Sequence, residues 1–418
     1  MKTVTKYLLD IPLPRMIRVR QGFDVKELED PKGVLLEQLA AEGVADRVKP
    51  GMRVGITAGS RGIDNMPLYL RTLCDWVKEQ GGQPFIIPAM GSHGGATAEG
   101  QRQLLSLYGI TEETMGAPIL DSIEAVQIDV TEDGVPCYMA KTALEADAII
   151  LCNRIKPHTT FRHTYESGLV KMSVIGLGKH AGASAAHAGG WGVFGPTLEA
   201  VSRKLFATGK IIFGVGLLEN AFEKTRKIVV VRAEEIHDRE PTYLREGFAN
   251  MGKLNFPHCD VLVVDQIGKN ISGGGADPNI TGLTAGGYST SNITTDHMVV
   301  LDLTEETHGS GVGLAKASAT TERVMRKYDP EATVINYLTS TSVFMMPHAF
   351  ENDRAAIQAV MRTGYSADTV KMIRIKNTLD IHEIWISEAL WNDVKDDPYF
   401  TPLGGLSPFA FDEAGNLF

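Results

Sequence analysis

Short apolar runs alternate along this chain with segments in which apolar residues recur every third or fourth position. That alternation marks an α/β protein. Arg53–Ala58 (RVGITA) reads as a buried strand leading into the loop Gly59-Ser60-Arg61-Gly62. Pro67–Gln80 carries Leu68, Leu70, Leu73, Trp76 and Val77 at helical spacing, and Gly81-Gly82 ends it. Pro84–Pro88 reads as the next strand, before the loop Met90-Gly91-Ser92-His93-Gly94-Gly95, and Thr97–Tyr108 reads as a helix. Ala146–Cys152 (ADAIILC) shows little polar alternation, so helices are expected on both faces of its sheet.

A second unit is expected from Cys259, after the polar, proline-containing link Gly252–His258. Cys259–Gln266 reads as a strand, followed by the glycine-rich stretch Gly268–Gly287 and the strand Met298–Leu303. An alanine-rich helix is expected around Gly313–Lys327, a strand over Thr333–Leu338, a helix near Arg354–Arg362 and a strand over Thr369–Ile375. The expected fold is two α/β domains with a cleft between them, residues 1–258 and 259–398. The first is the larger and has a mainly parallel sheet; the tail 399–418 is expected to pack back on it. There is no internal repeat or low-complexity tract.

In open α/β sheets, ligands gather at the carboxyl ends of the strands. Arg61, His93 and His158 each follow an expected strand, so three loops deliver a cation and two imidazoles to one sheet edge. An imidazole has an unperturbed pKa near ~6.5 and moves protons in either direction at neutral pH. Lys171 lies in the apolar run Gly168–Leu177, where desolvation favours a neutral, nucleophilic amine. Its bland alternative is a lysine snorkelling from an element edge. His180 and His187 follow, seven apart, with Arg162, His163 and Trp191 close in sequence. A lone histidine is more often structural than a ligand. Gly59-Ser60-Arg61 is a candidate phosphate cradle through backbone N–H groups and the guanidinium, although it matches neither common phosphate-loop pattern. Lys269, in Gly268-Lys269-Asn270-Ile271-Ser272-Gly273-Gly274-Gly275, is a candidate carboxylate clamp or part of a tight turn.

The formal net charge of -10 over 418 residues argues against nucleic acid or an anionic membrane as the main partner. Four scattered cysteines with no CxxC pair fit a reducing compartment and exclude an iron–sulfur or structural zinc motif. The N-terminal stretch lacks a signal-peptide pattern, and no apolar run is long enough to span a bilayer. A cytoplasmic enzyme is expected.

The Gly-Ser-His-Gly loop after the second strand and the Ile-Lys-Pro-His element closing a later one together resemble a known family. So do Ser-Gly-x-x-Lys at Lys171, His187 sixteen positions on, and Asp277–Ile280 (DPNI). This ordered set is similar to the nickel-pincer-nucleotide-dependent lactate racemases and their 2-hydroxyacid racemase and epimerase relatives. The resemblance implies that Lys171 tethers the pincer nucleotide (nickel pyridinium-3,5-bisthiocarboxylate mononucleotide) and that His187 ligates its nickel. It implies that Gly59, Ser60 and Arg61 hold the nucleotide phosphate or orient the substrate, and that His93 and His158 alternate as proton acceptor and donor. The implied reaction is reversible, proton-coupled hydride transfer that inverts a 2-hydroxy acid. Implied partners are that small molecule, cofactor-biosynthesis enzymes and, as an open option, a second copy of the chain.

Two departures from the lactate enzymes stand out. The interval from His158 to Lys171 is longer, which leaves His163 as a competing base. Where those enzymes carry a glutamine and a lysine that hold the substrate carboxylate, this chain has Gly282 and Ala285. Lys269, Arg162 and Arg61 are the candidate replacements. Two other readings stay open: a zinc hydrolase or lyase built on His158, His180 and His187, and a non-catalytic nucleotide-binding protein.

Overall fold

The computed structural model describes residues 6–8, 10–60, 62–283, 291–334, 345–362 and 364–417. The chain divides into two compact units, one formed by Val25–Met251 and the other by Met1–Asp24 together with Gly252–Phe418.

The unit Val25–Met251 is built on a five-stranded sheet. Its order is Gln83–Pro88, Arg53–Ala58, Ala148–Arg154, Ile211–Glu219, Thr225–Arg232. The first four strands are parallel and the last is antiparallel to its neighbour. Side chains alternate between faces along each strand. Val54, Ile56, Ile86, Ile150, Cys152 and Val215 join one core, with Leu70, Leu73 and Val77 from the helix Met66–Glu79. Phe85, Ile87, Ile149 and Leu151 join a second core with Leu169, Val170, Leu198 and Leu205. Both faces are covered, as the unalternating ADAIILC run requires.

Strand order positions the site. From the 53–58 strand the chain crosses to 83–88 on one side, then returns to lay 148–154 on the other. Loops leaving the carboxyl ends of 53–58 and 148–154 therefore depart in opposite directions, and a crevice opens at such a switch point.

The other unit has a mixed sheet of eight strands. Its order is His348–Phe350, Ala319–Thr321, Thr294–Leu303, His258–Ile267, Met372–Ile375, Glu383–Ser387, Met16–Gln21, Phe400–Pro402. The first five are parallel and the last three continue antiparallel. The first 24 residues thus belong with the C-terminal part of the chain rather than with residues 25–258. The tail from Tyr399 pairs with the 16–21 strand of this same unit.

Two local expectations are corrected. Gly313–Lys327 is not one helix but a 3-10 turn (Leu314–Lys316), a short strand (Ala319–Thr321) and a helix (Glu322–Lys327). Thr320 is β-branched and pairs with Val300 in the sheet, and the Thr321 hydroxyl caps the following helix at Val324 N. The expected strand Thr333–Leu338 begins inside the helix Pro330–Val334, whose first amides are accepted by the Asp329 carboxylate; residues 335–338 lie outside the described residues. Among the described residues no helix is long and apolar enough to cross a membrane. The four cysteines are free and buried.

Ile56 is fully buried in the central strand. Replacing it with alanine is expected to lower unfolding free energy by about 3 kcal/mol in a denaturant titration, through lost burial and the cavity left behind.

Candidate active site

Three loops at the carboxyl edge of the five-stranded sheet carry the candidates. Gly59 and Ser60 follow the 53–58 strand, His93 follows 83–88, and His158 follows 148–154. Ser60 Oγ is hydrogen bonded to His93 Nδ1. Gln101, buried on the helix Ala98–Leu107, donates to the carbonyls of Gly91 (3.0 Å) and His93 (3.2 Å) and holds that loop. A Cβ on Gly59 would lie 3.4 Å from Met172 Cε and 3.6 Å from Asn153 Oδ1. The first loop, the end of the 148–154 strand and the residue after Lys171 therefore meet at Gly59.

The His158 loop is organised by a carboxylate. Glu166 is buried and accepts the backbone N–H of His158 (2.6 Å) and of His163 (3.3 Å), and Arg162 Nη1 (3.1 Å). Arg162 also donates to the carbonyls of His158 (2.7 Å) and Phe161 (3.1 Å) and lies over the Phe248 ring. Its guanidinium holds the loop. Burial pushes the Glu166 carboxyl up, against the pull of Arg162.

His158 packs on Phe161 (ring centroids 4.6 Å) and Trp191 (5.6 Å), and His187 packs on Phe194 (4.3 Å) and Trp191 (5.3 Å). Burial, followed by the charge of Lys171, holds His158 well below the ordinary imidazole value. His187 is lowered to about 4 by burial, with Lys171 contributing. The charge of Lys171 acts on both rings, and with burial it favours the neutral form of both imidazoles. His187 Nδ1 donates to the Ala183 carbonyl one helical turn back (2.6 Å). This fixes the tautomer and leaves the Nε2 lone pair without a hydrogen-bond partner among the described residues. At His158 the Thr160 N–H donates to Nδ1 (3.1 Å), so the neutral ring carries its hydrogen on Nε2.

Lys171 ends the first turn of a helix that begins at Leu169. The helix widens into a π turn over Met172–Gly176 and resumes over Lys179–His187. Glu240 is buried on the helix Ile236–Asn250 and accepts the amides of Leu169 (2.7 Å) and Val170 (3.0 Å). Burial pushes its carboxyl up to about 7. Lys179 is fully buried in the left-handed region (φ 55°) and donates to the Pro88 carbonyl (2.6 Å), bracing this helix against the strand before the His93 loop. Burial lowers its amine to about 8. Glu166, Glu240 and Lys179 escape a sequence reading. The one available signal is a charge set in an otherwise apolar or glycine-rich run, which Lys179 in Leu177-Gly178-Lys179 displays.

Other expected residues take other positions. The His163 ring lies against Gly195, where a Cβ would come within 2.4 Å of it, and burial lowers its pKa. His180 is exposed. His158, His180 and His187 do not converge as a ligand trio. Among the described residues the group whose donor atoms all lie within 4.8 Å is His258, Asp260 and Asp296, in the other unit. Lys269 belongs to that unit and is partly buried, its backbone N–H on Thr307 Oγ1 (3.1 Å). Gly282, also there, closes the Pro278–Thr281 turn with φ 71°. Arg61 and Ala285 lie outside the described residues.

Residues 8–191 match the model of the lactate racemase N-terminal domain. This segment is similar to the lactate racemase N-terminal domain. It contains His93, His158, Lys171 and His187. Two solved structures are similar to the chain. The lactate racemase apoprotein from Thermoanaerobacterium thermosaccharolyticum is 13% identical, with a TM-score of 0.48 over 87% of this chain and 89% of that one. A protein from Thermotoga maritima is 14% identical, with a TM-score of 0.44 over 62% of this chain and 69% of that one. No curated protein matches the sequence.

The raised carboxyl of Glu240 has a measurable consequence. Its pKa is higher folded (about 7) than its ordinary 4.5, so the folded state holds the extra proton. The stabilising share of this group is present below 4.5 and is lost as pH rises through 7. Relative to Glu240→Gln, which cannot ionise, the native chain should lose on the order of 3 kcal/mol of stability between pH 4.5 and 8, read by denaturant titrations across that range.

Proposed function

We propose that this chain is a racemase or epimerase of a 2-hydroxy acid that uses a nickel-pincer nucleotide tethered to Lys171, with His187 as a nickel ligand. The observation that carries the reading is that His158 and His187 pack on the same ring, Trp191, with the charge of Lys171 acting on both, in a segment that matches the lactate racemase N-terminal domain model.

The residues present fit the group. Imidazole is a suitable donor for nickel, and a ligand histidine must be deprotonated. His187 meets both conditions, with its Nδ1 committed to Ala183 and its Nε2 available. Lys171 offers an amine on a helix whose start is fixed at both its carbonyl and its amide sides, by Asn153 and Glu240. Gly59 and Ser60 present backbone N–H groups at the switch point, where a phosphate binds in folds of this kind. When bound, the nucleotide supplies the acceptor and donor of the substrate's α-hydride.

The protein's own residues manage the proton and the orientation. The hydrogen bond to Ser60 Oγ engages His93 Nδ1; in this reading the histidine is the donor, and its Nε2 takes the substrate hydroxyl proton. His158, with its hydrogen on Nε2, donates a hydrogen bond to the substrate oxygen. It takes the hydroxyl proton at Nε2 in the other neutral tautomer, with the ring hydrogen on Nδ1 and the Thr160 contact broken. The two histidines stand on separate loops on either side of the 53–58 strand, the arrangement that inversion between two faces requires. The aromatic side chains Phe161, Trp191 and Phe194 pack around His158 and His187 and reduce water at the two rings. Buried reduced cysteines accord with a cytoplasmic setting.

Protein co-expressed with enzymes that make the nucleotide should carry nickel and a covalent mass adduct mapping to Lys171. Lys171→Ala should abolish the adduct, and His187→Ala should abolish nickel retention. Zinc without nickel and without an adduct would replace this reading with the hydrolytic one. Ser60→Ala should slow inversion of a 2-hydroxy acid by on the order of tenfold, by removing the hydroxyl that orients the His93 ring. Chirality assays on lactate, malate, longer 2-hydroxy acids and sugar acids identify the substrate.

A further inference from the structure

The Lys171 helix begins against a carboxylate whose placement is energetically unfavourable. Glu240 is 1% exposed. One of its oxygens, Oε2, accepts the amides of Leu169 and Val170, and the other, Oε1, has no hydrogen-bond partner among the described residues. Burial raises this carboxyl, and those two amides oppose it. A buried carboxylate with half its hydrogen-bonding capacity unused costs several kcal/mol. An apolar side chain of similar size would remove the carboxylate's desolvation cost but leave the amides of Leu169 and Val170 without this acceptor.

The neighbouring backbone is shaped around this group. A Cβ at Gly168 would fall 2.4 Å from Glu240 Oε1, so only glycine admits the carboxylate at this depth. The carbonyl of the same glycine is held from the other side by Asn153 Nδ2 (3.1 Å), at the carboxyl end of the 148–154 strand. The peptide that starts the helix is therefore gripped at its carbonyl by the sheet and at its following amides by Glu240. Lys171 is the next residue.

We infer that Glu240 is a positioning residue: its acceptor oxygen fixes the first turn of the helix and, through it, the place of the Lys171 amine. The inference rests on the reading of Lys171 as the tethering residue. A role in packing alone makes a different prediction. Packing is satisfied by Glu240→Leu and disturbed little by Glu240→Gln, whereas positioning is preserved by Gln, which keeps an acceptor oxygen, and lost with Leu.

The test uses the full chain without added nucleotide. Lysines are labelled with a limiting amine-acylating reagent, and Lys171 is quantified by peptide mapping against the exposed Lys141. Melting temperature confirms folding. Glu240→Gln should leave the relative labelling rate of Lys171 within about twofold of the native chain. Glu240→Leu, which leaves the amides of Leu169 and Val170 without their acceptor, should raise it about tenfold in protein that melting shows to be folded. Gly168→Ala drives a methyl group into the carboxylate without altering Glu240 and should reproduce the Leu result, which serves if Glu240→Leu does not fold. Unchanged labelling in folded Glu240→Leu or in folded Gly168→Ala overturns the inference. A second measurement separates it from the functional reading. If nucleotide-loaded native protein carries no Lys171 adduct while the labelling pattern holds, Glu240 still positions Lys171 and the tethering role falls.

Discussion

The 53–58 strand has parallel neighbours on both sides, and the chain reaches those neighbours in opposite directions. This reversal of strand order is the constraint on which the rest of the unit depends. It separates the loops after Ala58 and Arg154, brings the loop after Pro88 alongside, and leaves room between them for small residues such as Gly59. His93 and His158 come to one edge because the sheet is parallel, and they reach it from either side because the order reverses. An antiparallel sheet would have sent alternate loops to opposite ends.

The helix carrying Lys171 and His187 is fitted to this edge by buried charges rather than by apolar packing alone. Glu240 holds its start, Lys179 ties its middle to Pro88, and Glu166 gathers the adjoining His158 loop. Each contact places an ionisable group out of water, with a carboxyl raised or an amine lowered as a result. Such groups are poor sources of stability but specify geometry, since an apolar substitute packs equally well in several registers. The same desolvation keeps His158 and His187 neutral. Burial therefore acts twice at this site, placing the residues and setting their protonation.

Much of this was legible in the sequence. Arg53–Ala58 forms the strand that its apolar run predicts, and Gln83–Pro88, Ala98–Leu107 and Ala148–Arg154 fall close to their expected bounds, because period and flanking glycines are local signals. The order of strands is not local, and the incorporation of Met16–Gln21 into the sheet of residues 252–418 left no trace in periodicity. Alanine content suggested a helix through Ala319–Thr321, but tertiary pairing prevailed over propensity there. At the site, Lys171 and His187 stood out by residue type. Glu240 did not, because a glutamate on a helix reads as solvent-facing until the fold buries it. Arg162 was visible as a cation, yet only the structure reveals its commitment to Glu166.

The function proposed above has inversion proceed by moving the α-hydrogen as hydride within the site, with the two histidines handling the hydroxyl proton alone. The most direct measurement follows a single enantiomer of the inverted 2-hydroxy acid, deuterated at its α-carbon, through nickel-nucleotide-loaded protein in ordinary water. The account predicts that the opposite enantiomer forms with the deuterium retained on carbon. Loss of the deuterium to solvent during inversion would contradict it, since that outcome assigns carbon deprotonation to His93 and His158 and leaves the Lys171–His187 anchor without a role.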